Sequence, residues 1–428
     1  MVSGFVIRGG TVVDATGTRR GDVAVDDDGT IAAVGEGLEG GDVVDASGCV
    51  VAPGLVDLHA HLREPGREEA ETVETGSRAA ALGGFTAVVA MPNTSPAIDC
   101  ASVVREVLDL GRSAPCDVHS SGAITVGRAG EQLTPMAEMA ELGVRLFTDD
   151  GDGVQDAGLM RRALEYASGL PVPVTLAQHC EVAALAAGGH MHEGEWSSRL
   201  GIPGQPAESE ELMVARDIVL SRLTGMRVHF QHLSTGVSVD LVREAKRRGL
   251  AVTAEATTHH FTLTDAEVAS YDPLYKVNPP LRPDADVAAV RAGLADGAVD
   301  AIATDHAPHT QEAKEQAFDE APPGMLGLET ALALALTELD LPIEQVLALL
   351  SWQPAAIAGL SDQHGGPVAV GRPANLCVVD PTETWTVEPT ASASRSRNNP
   401  YAGRTLTGRV RHTFLFGEPV VLEGDAQR

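Results

Sequence analysis

The chain has 428 residues, 43% hydrophobic and 21% charged, which is enough apolar material for a full core and excludes wholesale disorder. Its length predicts one large domain with a smaller companion. Acidic residues outnumber basic ones 60 to 31, giving a formal net charge of −29, so nucleic acid and anionic membranes are excluded as partners. A small anionic substrate stays open wherever a few arginines converge.

From Phe5 to about Val51, short runs rich in β-branched residues, such as Phe5 to Arg8 and Asp22 to Val25, alternate with Gly and Asp turns. They predict a small sheet. The start, Met1 to Gly10, lacks the basic stretch and apolar run of a secretion signal, and no segment approaches the roughly 20 apolar residues that span a bilayer. Cys49, Cys100, Cys116, Cys180 and Cys377 are odd in number and scattered, which argues against a disulfide framework or a zinc finger. A cytoplasmic protein is expected.

Further along, apolar strands alternate with alanine-rich helical stretches, the texture of βα units. Eight strands are expected: Leu55 to His61, Thr86 to Asn93, Val118 to Ile124, Val144 to Asp150, Val174 to His179, Val228 to Ser234, Val252 to His259 and Asp300 to His306. Helices are expected between them, including Glu71 to Leu82, Ala157 to Ala167, Glu208 to Leu223 and Val237 to Arg248. This predicts an α/β fold with a closed (β/α)8, TIM-like barrel over residues 53–365. The β style returns at Asn375 to Asp380 and Val410 to Gly417, so both chain ends, residues 1–52 and 366–428, are expected to share one β-sandwich domain.

Strand after strand ends in His, Asp or Asn. In a barrel these ends meet at one mouth. His59 and His61, two apart, face one side and can hold one ion, a weak signal alone. His179, His232 and Asp305, ending later strands, turn the pair into a constellation. Imidazole with carboxylate suits zinc or another borderline divalent ion, and two clusters predict a binuclear centre that needs a bridge. Many barrel hydrolases that open with His-X-His bridge through a carbamylated lysine, but the lysines here are Lys246, Lys276 and Lys314, none on the fourth strand. That strand ends Phe147-Thr148-Asp149-Asp150-Gly151. Asp150 is the expected bridge and Asp149 the alternative, a plain turn being the other role open to either residue. His259 and His260 are read as packing residues, and His190 and His192 as solvated.

These segments, with His59-Ala60-His61-Leu62-Arg63-Glu64-Pro65-Gly66, Met91-Pro92-Asn93-Thr94, Lys276-Val277-Asn278-Pro279-Pro280-Leu281-Arg282 and Ala303-Thr304-Asp305-His306-Ala307-Pro308-His309, resemble bacterial dihydroorotases of the type I class in the amidohydrolase superfamily, over nearly the whole chain. The resemblance implies two zinc ions, one on His59, His61 and Asp305, the other on His179 and His232, with Asp150 between them. It implies that Arg63, Asn93 and Asn278 hold the substrate carboxylate and neighbouring polar atoms, that His309 contacts the ring, and that the loop with Pro323 and Gly324 contacts substrate through its backbone. Pro323 has no amide hydrogen, so Gly324 is the expected donor.

The implied reaction is reversible hydrolysis of (S)-dihydroorotate to N-carbamoyl-L-aspartate in pyrimidine biosynthesis, by an activated hydroxide. Asp305 would take the proton and then deliver it to the leaving nitrogen. Two alternatives stand beside it: another cyclic amidase of hydantoinase or allantoinase type, and a silent barrel scaffolding aspartate transcarbamoylase. A homo-oligomer and a transcarbamoylase complex are the partners expected.

Overall fold

The computed structural model describes residues 2–428. Strands buried at every position need cover on both faces, which a barrel wrapped in helices provides. The eight barrel strands are Leu55–Ala60 (β1), Phe85–Ala90 (β2), Asp117–Ser120 (β3), Leu146–Phe147 (β4), Thr175–Gln178 (β5), Val228–Phe230 (β6), Val252–Thr257 (β7) and Ala301–Ala303 (β8). β1, β2, β4, β5, β6 and β8 are buried at every residue.

Pairing is parallel from β1 to β3 and again from β4 to β8. Two parallel bridges, Gly122 to Phe147 and Ala60 to His306, join the two sheets into a closed ring. Asp57 reinforces the β1–β8 seam by accepting from the Thr304 N–H at 3.0 Å and from the Thr304 hydroxyl. Burial raises this carboxyl to about 6 although those hydrogen bonds oppose the shift.

The helices begin where side chains can satisfy their free amides. Thr72 caps Val73–Leu82, Asp156 caps Ala157–Ser168 and Thr235 caps Gly236–Arg247. Glu208–Thr224 supplies a further helix of the outer layer.

All eight expected strands are present, but the ladder stops short of the polar residues that were expected to end each one. His61, Asp150, His179, His232 and Asp305 lie on the loops one to three residues beyond β1, β4, β5, β6 and β8. Arg63, His232 and Asp305 have φ of 63°, 35° and 43°. Such left-handed backbone is disfavoured for side-chain-bearing residues and cannot continue a strand.

Both chain ends build the second unit. Residues 2–8, 22–25, 31–35 and 40–45 form a four-stranded sheet, and residues 11–14, 17–20 and 50–53 join Leu376–Thr386, Thr405–Leu415, Glu418–Leu422 and Asp425–Ala426 in a seven-stranded one. In the seven-stranded sheet, strand alternation aims side chains at two different partners. Val51, Leu376 and Val378 pack against Ile7, Val23 and Ile31 of the small sheet. Val50, Ala52, Cys377 and Val379 belong instead to the core shared with the barrel. One sheet therefore closes a sandwich and also floors the barrel.

Candidate active site

The barrel mouth is a cavity of about 220 Å³ lined by His61, Arg63, Arg67, Asn93, Asp150, His179, His232, Asn278, Asp305, His309, Pro323 and Gly324 among others. His59 lies just beneath, fully buried, at the end of β1.

Asp150 is the centre of the arrangement. Its Oδ1 is 3.3 Å from His59 Nε2, 3.7 Å from His179 Nδ1 and 3.6 Å from His232 Nε2, while its Oδ2 is 3.6 Å from His61 Nε2. Two ligand clusters result, His59, His61 and Asp150, and Asp150, His179 and His232, sharing this one carboxylate. Asp305 Oδ1 completes the first, 2.9 Å from His61 Nε2 and 3.6 Å from His59 Nε2. Asp149 turns the other way. It accepts from the Ile124 and Thr125 N–H groups at 2.8 and 2.9 Å and from the Thr125 hydroxyl, pinning the loop after β3.

The donor set fits divalent cations. Ligand atoms around one tetrahedral ion at about 2.1 Å stand roughly 3.4 Å apart, close to the separations around Asp150. His59 Nε2 and His232 Nδ1 are buried without a hydrogen-bond partner, and the imidazole nitrogens of His179 and His232 face each other at 2.9 Å. Burial opposes charge on His179, yet Asp150 and Glu181 raise it to about 10, a sign of how strongly the pocket favours a cation. Burial likewise works against the ionised forms of Asp150 and Asp305, but the surrounding histidines hold both well below the usual carboxylate range.

Glu255, which the sequence reading missed, orients the deepest ligand. Buried in the middle of β7, it accepts from His59 Nδ1 at 2.8 Å and from His229 Nε2 at 3.0 Å. Burial pushes its carboxyl up, but the hydrogen bonds of His229 and His59 outweigh that and hold it at about 2. A carboxylate on Nδ1 fixes the tautomer that leaves Nε2 free for an ion. The only signal in the sequence was an acid inside a β-branched and alanine run, Val252-Thr253-Ala254-Glu255-Ala256-Thr257.

The expected substrate residues all line the cavity, with different degrees of freedom. Arg63 is buried and donates through Nε to the Pro308 carbonyl at 3.1 Å. Its Nη2 is 3.3 Å from His309 Nε2, but that nitrogen donates to the Pro323 carbonyl at 2.8 Å and so has no lone pair to offer. The guanidinium fork stays available to a carboxylate. Burial, with Arg63 nearby, holds His309 neutral, down to about 2. Asn278 donates to Glu181 Oε2 at 3.0 Å, while its Oδ1 is buried and unpaired.

Asn93 is more committed than expected. It accepts from His61 Nδ1 at 2.8 Å and donates to Asp150 Oδ2 at 3.3 Å, so it braces the ligands. Gly324 departs from its expected role as a donor to substrate, because its N–H is spent on the Lys276 carbonyl at 2.8 Å. What the loop needs there is a glycine: φ is 139°, and a Cβ would lie 2.7 Å from Ala307 Cβ and 2.9 Å from His309 Nε2. The lysines all lie outside the cavity wall. Exposed Arg67, also unforeseen, adds a second cation to the mouth.

Of the other histidines, His260 is a packing residue, bonded to Thr257 Oγ1 at 2.7 Å and the Pro279 carbonyl at 3.0 Å. His192 is not solvated as expected. It lies half-buried and accepts from the buried Arg282 at 3.0 Å, and burial with that neighbour pushes it down to about 4.

A (β/α)8 barrel whose mouth carries paired His and Asp clusters around a shared carboxylate is the architecture of a metal-dependent amidohydrolase. A dihydro-orotase-like family model matches residues 48–238. The dihydroorotase of Pelotomaculum thermopropionicum is 50% identical over 425 residues, covering 97% of this chain and 98% of its own, and that of Streptomyces coelicolor is 50% identical over 433 residues, 99% of each. The chain belongs to the dihydroorotase family. Among solved structures, an L-hydantoinase from Arthrobacter aurescens shares the fold with a TM-score of 0.89 at 24% identity, covering 100% of this chain and 98% of that one.

Proposed function

We propose that the chain interconverts (S)-dihydroorotate and N-carbamoyl-L-aspartate in pyrimidine biosynthesis, at a binuclear zinc centre in the barrel mouth. One observation carries the reading: a buried arginine, Arg63, four positions beyond His59, lines the same cavity as the Asp150 carboxylate shared by both ligand clusters, where its fork suits a substrate carboxylate. His59, His61 and Asp305 would hold one ion and His179 and His232 the other, with Asp150 common to both. Bound there, divalent ions supply Lewis acidity, which brings the pKa of water from about 15.7 toward about 7 and polarises an amide carbonyl.

The protein's own groups do the rest. Arg63 grips the substrate carboxylate through its fork, and the unpaired Asn278 Oδ1 accepts a ring N–H. Neutral His309, held by the Pro323 carbonyl, offers an uncharged wall against the ring. Asp305, ionised beside His61, accepts at a carboxylate oxygen the proton that water gives up as the water oxygen bonds to the amide carbon. It then donates that proton to the departing ring nitrogen, and ring closure runs the same transfers backwards.

A hydantoinase-like activity would dispense with the carboxylate grip, and Arg63 argues against it. The test is turnover of dihydroorotate, hydantoin and allantoin by wild type and Asp305→Asn. Cleavage of dihydroorotate alone, lost by at least a hundredfold in Asp305→Asn with substrate binding retained, supports the reading. Activity confined to the uncharged rings would transfer it to the rival.

No described helix is long and apolar enough to cross a membrane. We place the protein in the cytoplasm, as a homo-oligomer. Its solution mass alone, and mixed with an aspartate transcarbamoylase, reads both the oligomer and the transcarbamoylase complex.

A further inference from the structure

The two His and Asp clusters at the mouth are not the only ones of that kind. A third lies at the opposite end of the barrel, where β3 begins. Asp117 and His119 are two apart on that strand and so face the same side. His364 comes to them from the turn after the helix Gln353–Ile357. Asp117 Oδ2 is 3.1 Å from His119 Nε2 and 2.9 Å from His364 Nε2, and one ligand atom from each residue lies within 4.8 Å of the others.

We propose that Asp117, His119 and His364 form a separate divalent-cation site on the floor of the barrel, taking zinc or a similar borderline ion through two imidazole nitrogens and one carboxylate oxygen.

Four features favour an ion over a hydrogen-bonded trio alone. The donor chemistry, two neutral imidazoles and a carboxylate, is a recurrent three-ligand zinc set that leaves a fourth position for water. The contacts fall only a few tenths of an ångström short of the roughly 3.4 Å spacing around a tetrahedral ion, so small side-chain rotations admit one. The anchor is oriented from behind. His364 is fully buried, its Nδ1 lies 3.1 Å from the Thr86 hydroxyl, and the Phe416 ring meets its edge at a centroid distance of 5.8 Å, which leaves Nε2 aimed at Asp117. Finally, the other two ligands keep a path to solvent, with side-chain exposures of 24% for His119 and 28% for Asp117.

An ion here would do no chemistry on the substrate at the mouth. It would staple the third strand to the turn that follows the last barrel helix, at the face of the barrel where stability is set.

The experiment uses the full chain, equilibrated with excess Zn²⁺ and freed of unbound metal by gel filtration. Elemental analysis should show one more zinc per chain in wild type than in His119→Ala or Asp117→Asn, while dihydroorotate cleavage by both variants stays within twofold of wild type. Co²⁺ substituted for Zn²⁺ should add visible absorption bands in wild type that both variants lack. Added Zn²⁺ should also raise the melting temperature of wild type more than that of either variant. Equal metal content in all three proteins overturns the proposal. So does loss of the mouth's metals along with the third, which would show that the sites are not separate.

Discussion

Asp149 and Asp150 are consecutive residues whose carboxylates face opposite ways: Asp149 clamps the Ile124 and Thr125 amides, and Asp150 lies among four imidazoles. Asp150→Ala should therefore abolish dihydroorotate cleavage and lower bound metal while leaving the fold intact. Asp149→Ala should do the reverse. It strands two buried amides, at a cost of about 1–3 kcal/mol for each unsatisfied group, and should lower the melting temperature with metal content kept. Elemental analysis beside thermal melts separates the two; equal metal loss in both variants would contradict the division of labour.

Glu255→Gln removes the charge that fixes the His59 tautomer. Loss of such an outer partner typically weakens metal affinity by about 10- to 100-fold. A chelator competition assay should show this with little change in KM, since Glu255 lies beneath the cavity. An unchanged chelator profile would mean that His59 is held by packing alone.

Arg63→Lys keeps the charge but loses the planar fork. Hydrogen bonds to charged groups are worth about 1.5–3 kcal/mol, so KM for dihydroorotate should rise on the order of 10- to 100-fold. Arg67→Ala should have a smaller effect that fades with added salt, because its cation is exposed and screened. A salt-independent loss in Arg67→Ala would show direct contact with substrate.

Lys314 is buried and donates to the carbonyls of Pro322 at 3.0 Å and Gly324 at 2.9 Å, tying down the loop against His309. Burial, helped by Lys276, pushes its ammonium from 10.5 to about 7. The unfolded chain then binds the extra proton between those values, so the residue's contribution to stability rises as pH climbs through that window. Urea unfolding at pH 7 and pH 9 should show a gain that Lys314→Met lacks, on the order of 2 kcal/mol. Parallel pH trends in the two proteins would count against a lowered Lys314 pKa in the folded chain.

The barrel and its ligands were legible in the sequence because the strands are rich in apolar residues and His61, Asp150, His179, His232 and Asp305 each follow within three residues of one of them. Strand ends were less so: the turn into left-handed backbone at His232 and Asp305 depends on tertiary packing that no periodicity records. Glu255 was hidden for the same reason, since a lone acid in an alanine-rich run gains its meaning only when closure of the ring brings β7 within reach of His59 on β1. The choice between Asp149 and Asp150 was open in the sequence, because either carboxylate could have turned inward. Asn93 and Gly324 show the limit most sharply, as both were assigned to substrate while the folded chain commits their polar groups to His61, Asp150 and Lys276.

The seven-stranded sheet, in which Val50–Pro53 pairs with residues 11–12 on one side and 376–379 on the other, has a consequence for synthesis. The early strands leave the ribosome long before the strand that must cover them, with the whole barrel still to be made. Their exposed edge has to wait, unpaired and open to other chains, until Leu376–Val379 arrives. Assembly of this fold is therefore completed only after translation has passed the barrel, and chaperone demand should be greatest in that interval.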